Sequence, residues 1–345
     1  MSIRVIVVDD SAMMRAIIEA RLSDDPDIEV VAVASNAQEA RVLIKQYDPD
    51  VITLDIEMPG MDGLSFLEKI MELRPTPVII VSGSTQAGTQ TTARALQLGA
   101  VSCYSKTDRH GGFATDDSGK LARLVHEAAA VNMNTLMPGR TKPHVAEAAQ
   151  NPRSDVIAIG SSTGGVEALH AILPGFEADC PPTLVVQHVN ACFAPAIAQS
   201  LDSASRARVK IAQSDMPLEP GTIYLAPGGD RHMQIAPAGS HGKRIILRSG
   251  DPVSGHLPSI DVLFGSVAAV CGKRATGVLL TGMGQDGANG LLKLAQAGSA
   301  TIAQNEASCV VFGMPRKAIE MGAAKRVMDL SEIASALFAR QGALI

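Results

Sequence analysis

The sequence predicts two α/β domains, each organised on a doubly wound, mainly parallel sheet. Short apolar runs alternate with stretches whose apolar residues recur at helical spacing, the pattern of repeated βαβ units. Several of those runs stop abruptly at acids or glycine-rich turns, as strands do at the edge where open parallel sheets hold their ligands. Between Thr135 and Arg153 the periodicity lapses, and Pro138, Gly139, Pro143 and Pro152 intervene, as an interdomain linker requires. The expected domains are 1–134 and 154–345, joined by a linker over 135–153.

Composition narrows the class. With 345 residues, 46% of them hydrophobic, the chain can bury two substantial cores. No apolar run approaches the roughly 20 residues of a membrane span, and the opening Met1-Ser2-Ile3-Arg4 is not that of a secretory signal. A net charge of −5 without a basic face argues against nucleic acid. Cys103, Cys180, Cys192, Cys271 and Cys309 are scattered and lack C-x-x-C spacing. They read as reduced structural thiols, and the expected location is cytoplasmic, without direct membrane insertion.

In the first domain Arg4–Val8 is an apolar strand that stops at Asp9-Asp10, and a helix follows to Leu22. Ile28–Ala34 is a strand and Ala37–Ile44 a helix; Asp50–Leu54 is a strand ended by Asp55. The turn Met58–Gly63 leads into an amphipathic helix, Leu64–Leu73. Pro77–Val81 is a strand ended by Ser82; a helix around Ala93–Leu98 and a strand over Ala100–Tyr104 precede Lys106. Leu121, Leu124, Val125 and Ala128 mark a closing helix within Asp117–Val131.

Asp9, Asp10, Asp55, Ser82 and Lys106 thus gather at one sheet edge. Clustered carboxylates repel, and a divalent ion resolves that cost; Mg²⁺ suits oxygen ligands that leave room for water and phosphate. Asp55, alone at the end of the central strand, is the natural phosphoryl acceptor, with Ser82 and Lys106 binding the other phosphate oxygens. Helix capping accounts for Asp10 taken singly, but not for five polar strand ends together. These residues resemble the receiver domain of two-component response regulators, over about Met1 to His126. Two positions depart from that pattern: Thr107 follows Lys106 where proline is usual, and Cys103 holds the aromatic switch position, with Tyr104 one place later. That bears on the family's aromatic rotation, not on the phosphoryl chemistry.

The second domain opens with a strand running into Gly160-Ser161-Ser162-Thr163-Gly164-Gly165, and a helix begins at Val166. Gly160-x-Ser162-x-Gly164 fits a nucleophile elbow, and equally a glycine-serine loop at a helix N-terminus. Pro182–Val186 is a strand ending at Gln187-His188, and Gly221–Ala226 another. His232–Ala236 and Arg244–Leu247 form an antiparallel pair, and Ser259–Val270 is a helix. Thr276–Thr281 runs into Gly282-Met283-Gly284-Gln285-Asp286-Gly287, with a helix to Ala297. Ala300–Gln304 is read as the last strand, followed by helices over Pro315–Met321 and Ser331–Ala339.

Dinucleotide binding fails on the glycine spacing and on the Gln187-His188 strand end, where an acid is wanted. The hydrolase order Ser, acid, His would use His232, His241 or His256, but these follow turns or open loops. His188 and Asp286 instead lie just past strands expected to flank the serine strand. Ser162 as nucleophile, His188 as base and Asp286 as orienting acid need only converge in space. Taken singly, His188 could be a satisfied histidine and Asp286 an Asp-Gly turn or helix cap. Thr163, Met283 and His256 are cleft candidates, the backbone near Met283 facing a developing oxyanion.

Ile159–Gly165, Val186-Gln187-His188, Pro258–Phe264, Leu280–Ala288 and Gly313-Met314-Pro315-Arg316 together resemble the chemotaxis protein-glutamate methylesterases, the CheB family. The resemblance implies a flavodoxin-like receiver followed by a Rossmann-like esterase domain. It implies hydrolysis of glutamate γ-methyl esters on chemoreceptor cytoplasmic helices, releasing methanol, and deamidation of receptor glutamines. It implies a triad of Ser162, His188 and Asp286, phosphorylation at Asp55, and a receiver that covers the cleft until phosphorylated. The implied partners are methyl-accepting chemoreceptors and the histidine kinase of the pathway. Mg²⁺ is expected for phosphorylation and no cofactor for the esterase. The rival readings are a response regulator with a non-catalytic protein-binding output domain, or the same esterase in a non-flagellar chemosensory pathway.

Overall fold

The computed structural model describes residues 2–58, 63–83, 86–106, 117, 119–133, 135, 154–239 and 242–338. Most of the expected linker, residues 136–153, lies outside them, as do Thr107, His241 and residues 59–62 of the expected turn. The chain divides into two compact units, Met1–Met137 and Pro138–Ile345.

In the first unit β1 (Ile3–Val8), β2 (Ile28–Ala34), β3 (Val51–Asp55), β4 (Val78–Ser82) and β5 (Ser102–Ser105) form one sheet in the order β2-β1-β3-β4-β5. Every neighbouring pair is parallel. Helices α1 (Ala12–Ser23), α2 (Ala37–Tyr47), α3 (Gly63–Leu73), α4 (Gln86–Gln97) and α5 (Lys120–Ala129) make the connections. All five residues of β3 and of β4 are buried, as strands covered on both faces must be, which explains their mainly apolar character. The chain leaves β1 toward β2 and later returns to β3 on β1's other side. The crevice between the carboxyl ends of β1 and β3 is therefore the switch point of the sheet. Ser11, not Asp10, caps α1, accepting the Met14 N–H at 3.4 Å.

The second unit holds a seven-stranded sheet in the order β14-β13-β12-β6-β7-β9-β8, parallel throughout. Its strands are β6 (Val156–Ser161), β7 (Thr183–Gln187), β8 (Arg208–Ile211), β9 (Thr222–Leu225), β12 (Ala275–Leu279), β13 (Ala300–Gln304) and β14 (Arg326–Met328). The antiparallel hairpin of β10 (Arg231–Ala238) and β11 (Gly242–Ser249) stands apart from the sheet. Helices α6 (Gly165–Ile172), α7 (Ala194–Ala204), α8 (Ile260–Cys271), α9 (Ala288–Gln296), α10 (Met314–Glu320) and α11 (Leu330–Phe338) complete the unit. One core runs from Val156, Leu184 and Val186 of the sheet to Phe264, Leu291 and Leu294 on the helices.

Ala300–Gln304 is not the last strand, since β14 pairs outside it. Both β14 and β8 are short edge strands with a partly exposed, charged pattern, so neither carries the apolar run by which central strands are recognised. The switch point here falls between β6 and β12, because β7 lies on one side of β6 and β13 on the far side of β12.

Two glycines bracket Ser162 for different reasons. Gly164 takes the left-handed conformation, φ +73°, that turns the chain into α6. Gly160 lies within β6, where a Cβ would stand 2.3 Å from Cγ2 of Ile260, a buried side chain at the head of α8. Gly160→Ala is therefore expected to destabilise the second unit by about 1–3 kcal/mol through overpacking; urea unfolding of the full chain measures this.

Candidate active site and phosphoryl-acceptor site

The site in the second unit is assembled where three strands release the chain. Ser162 follows β6 directly, and its N–H donates to the Thr281 carbonyl just past β12, at 3.0 Å. His188 follows β7 directly, and its N–H donates to the Ser161 carbonyl at 3.0 Å. Asp286 lies in the turn before α9, fully buried. The expected neighbours of the serine strand are thus the observed ones.

Nε2–H of His188 donates to Oδ2 of Asp286 at 2.9 Å. The other ring nitrogen, Nδ1, is buried and makes no hydrogen bond to any described residue. No bond therefore joins it to Ser162 Oγ in this resting arrangement; such contacts commonly tighten only with substrate bound.

Asp286 is not the cap of α9, whose N-cap is Gly287. It lies instead on the N-terminus of the neighbouring helix α8. Oδ1 accepts from Ser259 Oγ (2.7 Å) and Asp261 N–H (3.1 Å), and Oδ2 from Ile260 N–H (2.8 Å). Burial alone would push this carboxyl up, but the hydrogen bond and charge of His188 and the α8 donors outweigh it and hold the group below its ordinary 3.8. The carboxylate is therefore ionised near neutral pH.

The cleft candidates fall beside these groups. Thr163 is buried, and its carbonyl accepts from Thr281 Oγ1 at 3.0 Å. Met283 is 38% exposed, and its N–H donates to no described residue. It adjoins Gly282, where a Cβ would lie 2.6 Å from Ser162 Cβ. The ring of His256 is stacked on that of His188.

Sequence reasoning missed Gln187 as a functional residue. This buried amide accepts from Ser161 Oγ (2.6 Å) and donates to the carbonyls of Ser162 (2.8 Å) and His188 (3.1 Å). One side chain thereby ties the nucleophile turn to the strand end that carries the histidine. The available signal was an amide closing β7 directly after the apolar Leu184-Val185-Val186.

In the first unit Asp9, Asp10 and Asp55 each present a carboxylate oxygen, all within 4.8 Å of one another. Lys106 Nζ donates to Asp55 Oδ2 at 2.6 Å and pairs with Asp9 Oδ2 at 2.8 Å. The second contact is a charge contact, since Asp9 Oδ2 lacks an aligned hydrogen-bond donor. Burial raises the Asp9 carboxyl above its ordinary value, the Asp55 charge adding to the effect, and Lys106 offsets this only in part. Burial alone would lower Lys106, but its hydrogen bond to Asp55 and the close charges of Asp55 and Asp9 hold it above its ordinary value. Ser82 is buried at the end of β4 and its carbonyl accepts the Lys106 N–H at 2.9 Å. A buried, raised carboxyl with an unaligned oxygen beside two further acids is a donor set that fits a hard divalent cation.

Tyr104 does not replace the aromatic residue at the position of Cys103. Its hydroxyl accepts from Arg21 of α1 and donates to Asp117 Oδ2, just before α5, at 3.0 Å. Successive strand residues face opposite sides, so Cys103, also buried, occupies the other face of β5.

The sequence profile of the CheB methylesterase family matches residues 157–337, and that of the response regulator receiver domain matches residues 5–110. The chain is 51% identical to protein-glutamate methylesterase/protein-glutamine glutaminase 1 of Caulobacter vibrioides, over 97% of both chains. It is 49% identical to the protein of the same activity from Agrobacterium fabrum, over 96% of this chain and 94% of that one. The crystal structure of the Thermotoga maritima CheB methylesterase catalytic domain covers 54% of this chain and 98% of its own, with TM-score 0.52 and 35% identity.

Gln187→Leu is expected to cost about 1–3 kcal/mol by leaving the Ser161 hydroxyl and the His188 carbonyl without their bonds to this amide, the Ser162 carbonyl keeping the Gly165 N–H at 2.8 Å, and to slow turnover; denaturant unfolding and kcat measure the two. The lowered carboxyl of Asp286 contributes stability that is present above about pH 4 and lost as pH falls through its folded value. The stability gap between the wild type and Asp286→Ala is therefore expected to narrow on going from pH 7 to pH 3.5, by urea unfolding at each pH.

Proposed function

The chain belongs to the CheB methylesterase family and carries a response-regulator receiver domain ahead of the esterase, and on that premise we propose which residues perform each step. Its activity is that of a protein-glutamate methylesterase and protein-glutamine glutaminase in chemotaxis. The observation that carries the assignment is the His188 imidazole, with one nitrogen bonded to the ionised Asp286 and the other buried without a partner among the described residues.

Ser162 Oγ attacks the γ-carbonyl carbon of a glutamate methyl ester, and its proton passes to His188 Nδ1. Asp286 stabilises the imidazolium and fixes which nitrogen accepts. The Met283 N–H faces the developing oxyanion. Collapse of the tetrahedral intermediate returns the proton from Nδ1 to the leaving methoxide, which departs as methanol. Water, deprotonated by the same nitrogen, then cleaves the acyl-enzyme to a glutamate carboxylate and free Ser162. With glutamine the same sequence releases ammonia. No cofactor is required for these steps.

Asp55 accepts the phosphoryl group, with Ser82 and Lys106 binding its oxygens. Asp9, Asp10 and Asp55 would hold Mg²⁺, which when bound supplies charge neutralisation for the incoming phosphate. The partners are a phosphodonor kinase and chemoreceptors, more finely the histidine kinase of the pathway and the cytoplasmic helices of methyl-accepting receptors. Among the described residues no helix is long and apolar enough to cross a membrane, in keeping with a cytoplasmic enzyme that meets its substrate at the receptor's cytoplasmic part.

Methanol release from methylated receptor membranes, with and without a small phosphodonor and Mg²⁺, tests the whole reading. Ser162→Ala is expected to abolish release while leaving Asp55 phosphorylation intact. Asp55→Asn is expected to retain basal release and lose its stimulation; an undiminished response to phosphodonor would contradict the switch.

A further inference from the structure

The ring of His256 lies flat on the ring of His188, with centroids 3.7 Å apart and planes 5° from parallel. The hydrogen bond to Asp286 pins one atom of the His188 imidazole at 2.9 Å and leaves the ring able to turn about an axis through that atom. The last torsion of a histidine is broad, so this rotation is soft. Nδ1 lies off the axis and changes its direction when the ring turns. A flat contact against one face removes that freedom.

His256 is itself firmly held. Val253 and His256 exchange backbone hydrogen bonds of 3.1 and 3.0 Å across a tight turn. Within it Ser254, at φ +53°, donates from Oγ to Asp261 Oδ2 at 3.1 Å, and Asp261 Oδ1 takes the Gly290 N–H at 2.6 Å. At the start of the loop the Asp251 carbonyl accepts from His232 Nε2–H at 2.9 Å, while His232 Nδ1 accepts the Ser259 N–H at 3.1 Å. Ser259 is also a donor to Asp286, so the loop and the acid share an anchor.

We propose that His256 is a positioning residue for the esterase reaction: stacked on His188, it fixes the plane of the imidazole and so the direction in which Nδ1 meets Ser162. This rests on the assignment of Ser162, His188 and Asp286 made above. A small misplacement of reacting groups costs on the order of ten- to a hundredfold in rate. His256→Ala in the full chain is expected to lose about that factor in kcat for methanol release, with KM little changed. His256→Phe, which restores a flat ring, is expected to recover most of it.

The rate at which a fluorophosphonate probe phosphonylates Ser162 reads the serine–histidine pair without any receptor. It is expected to fall and recover in parallel with kcat. Wild-type labelling in His256→Ala, or a loss confined to KM, overturns the proposal and makes His256 a substrate contact. A phenylalanine variant as impaired as the alanine variant overturns it too. Ser254→Ala loosens the loop without altering the ring, and covers the case in which His256→Ala does not fold; unslowed labelling there also counts against the proposal. Ser162→Ala is the control on the underlying assignment. If that variant is still labelled or active, the nucleophile is elsewhere, and the role of His256 falls with it.

Discussion

The second unit is organised around one buried anion. The Asp286 carboxylate is removed from water, and ionised burial is tolerable only because four donors surround it: His188 Nε2, Ser259 Oγ and the N–H groups of Ile260 and Asp261. Those donors belong to the end of β7 and the head of α8, while the acid itself comes from the turn after β12. Satisfying the charge therefore fixes the relative placement of three segments that are remote in sequence. The loop that carries His256 joins the same network through Ser259 and His232. The stability of the unit and the geometry of the groups proposed to be catalytic thus rest on the same contacts.

Both units place their chemistry at the same topological position. In the first, the acids stand outside the carboxyl ends of β1 and β3; in the second, Ser162 and Asp286 stand outside β6 and β12. Each pair of strands brackets the point where the chain reverses its direction across the sheet, which opens a crevice that no crossover helix fills. The contents of the two crevices differ in kind. One holds carboxylates and a lysine whose mutual charges suit a phosphate and a cation. The other holds a single buried carboxylate that orients an imidazole.

The sheets were legible because central parallel strands are apolar on both faces and end in residues that cannot continue them. Asp55, Ser82, Gln187-His188 and the serine turn were visible for that reason. Edge strands β8 and β14 were not, since their partly exposed residues carry no such signal. Within the sites, residue identity exposed Ser162, His188 and Asp286, but local sequence favoured a capping role for Asp286 at its own helix. That the carboxylate caps α8 instead is a tertiary fact. The amide of Gln187 and the ring of His256 likewise act through partners dozens of residues away, which no local pattern encodes. Tyr104 is a further instance: its place one residue after Cys103 does not announce that its hydroxyl is committed to Arg21 and Asp117.

The orientation of the His188 ring has a consequence for chemical probes. Halomethyl ketones inactivate many serine hydrolases by alkylating the histidine nitrogen that faces the nucleophile, which in the familiar protease arrangement is Nε2. Here Nε2 is covered by a carboxylate at 2.9 Å, so under the proposed roles of Ser162 and His188 the alkylated isomer would be the Nδ1-substituted one, with the bond to Asp286 kept. An affinity label whose tether is cut for the opposite nitrogen would reach the serine and find no second site of attachment.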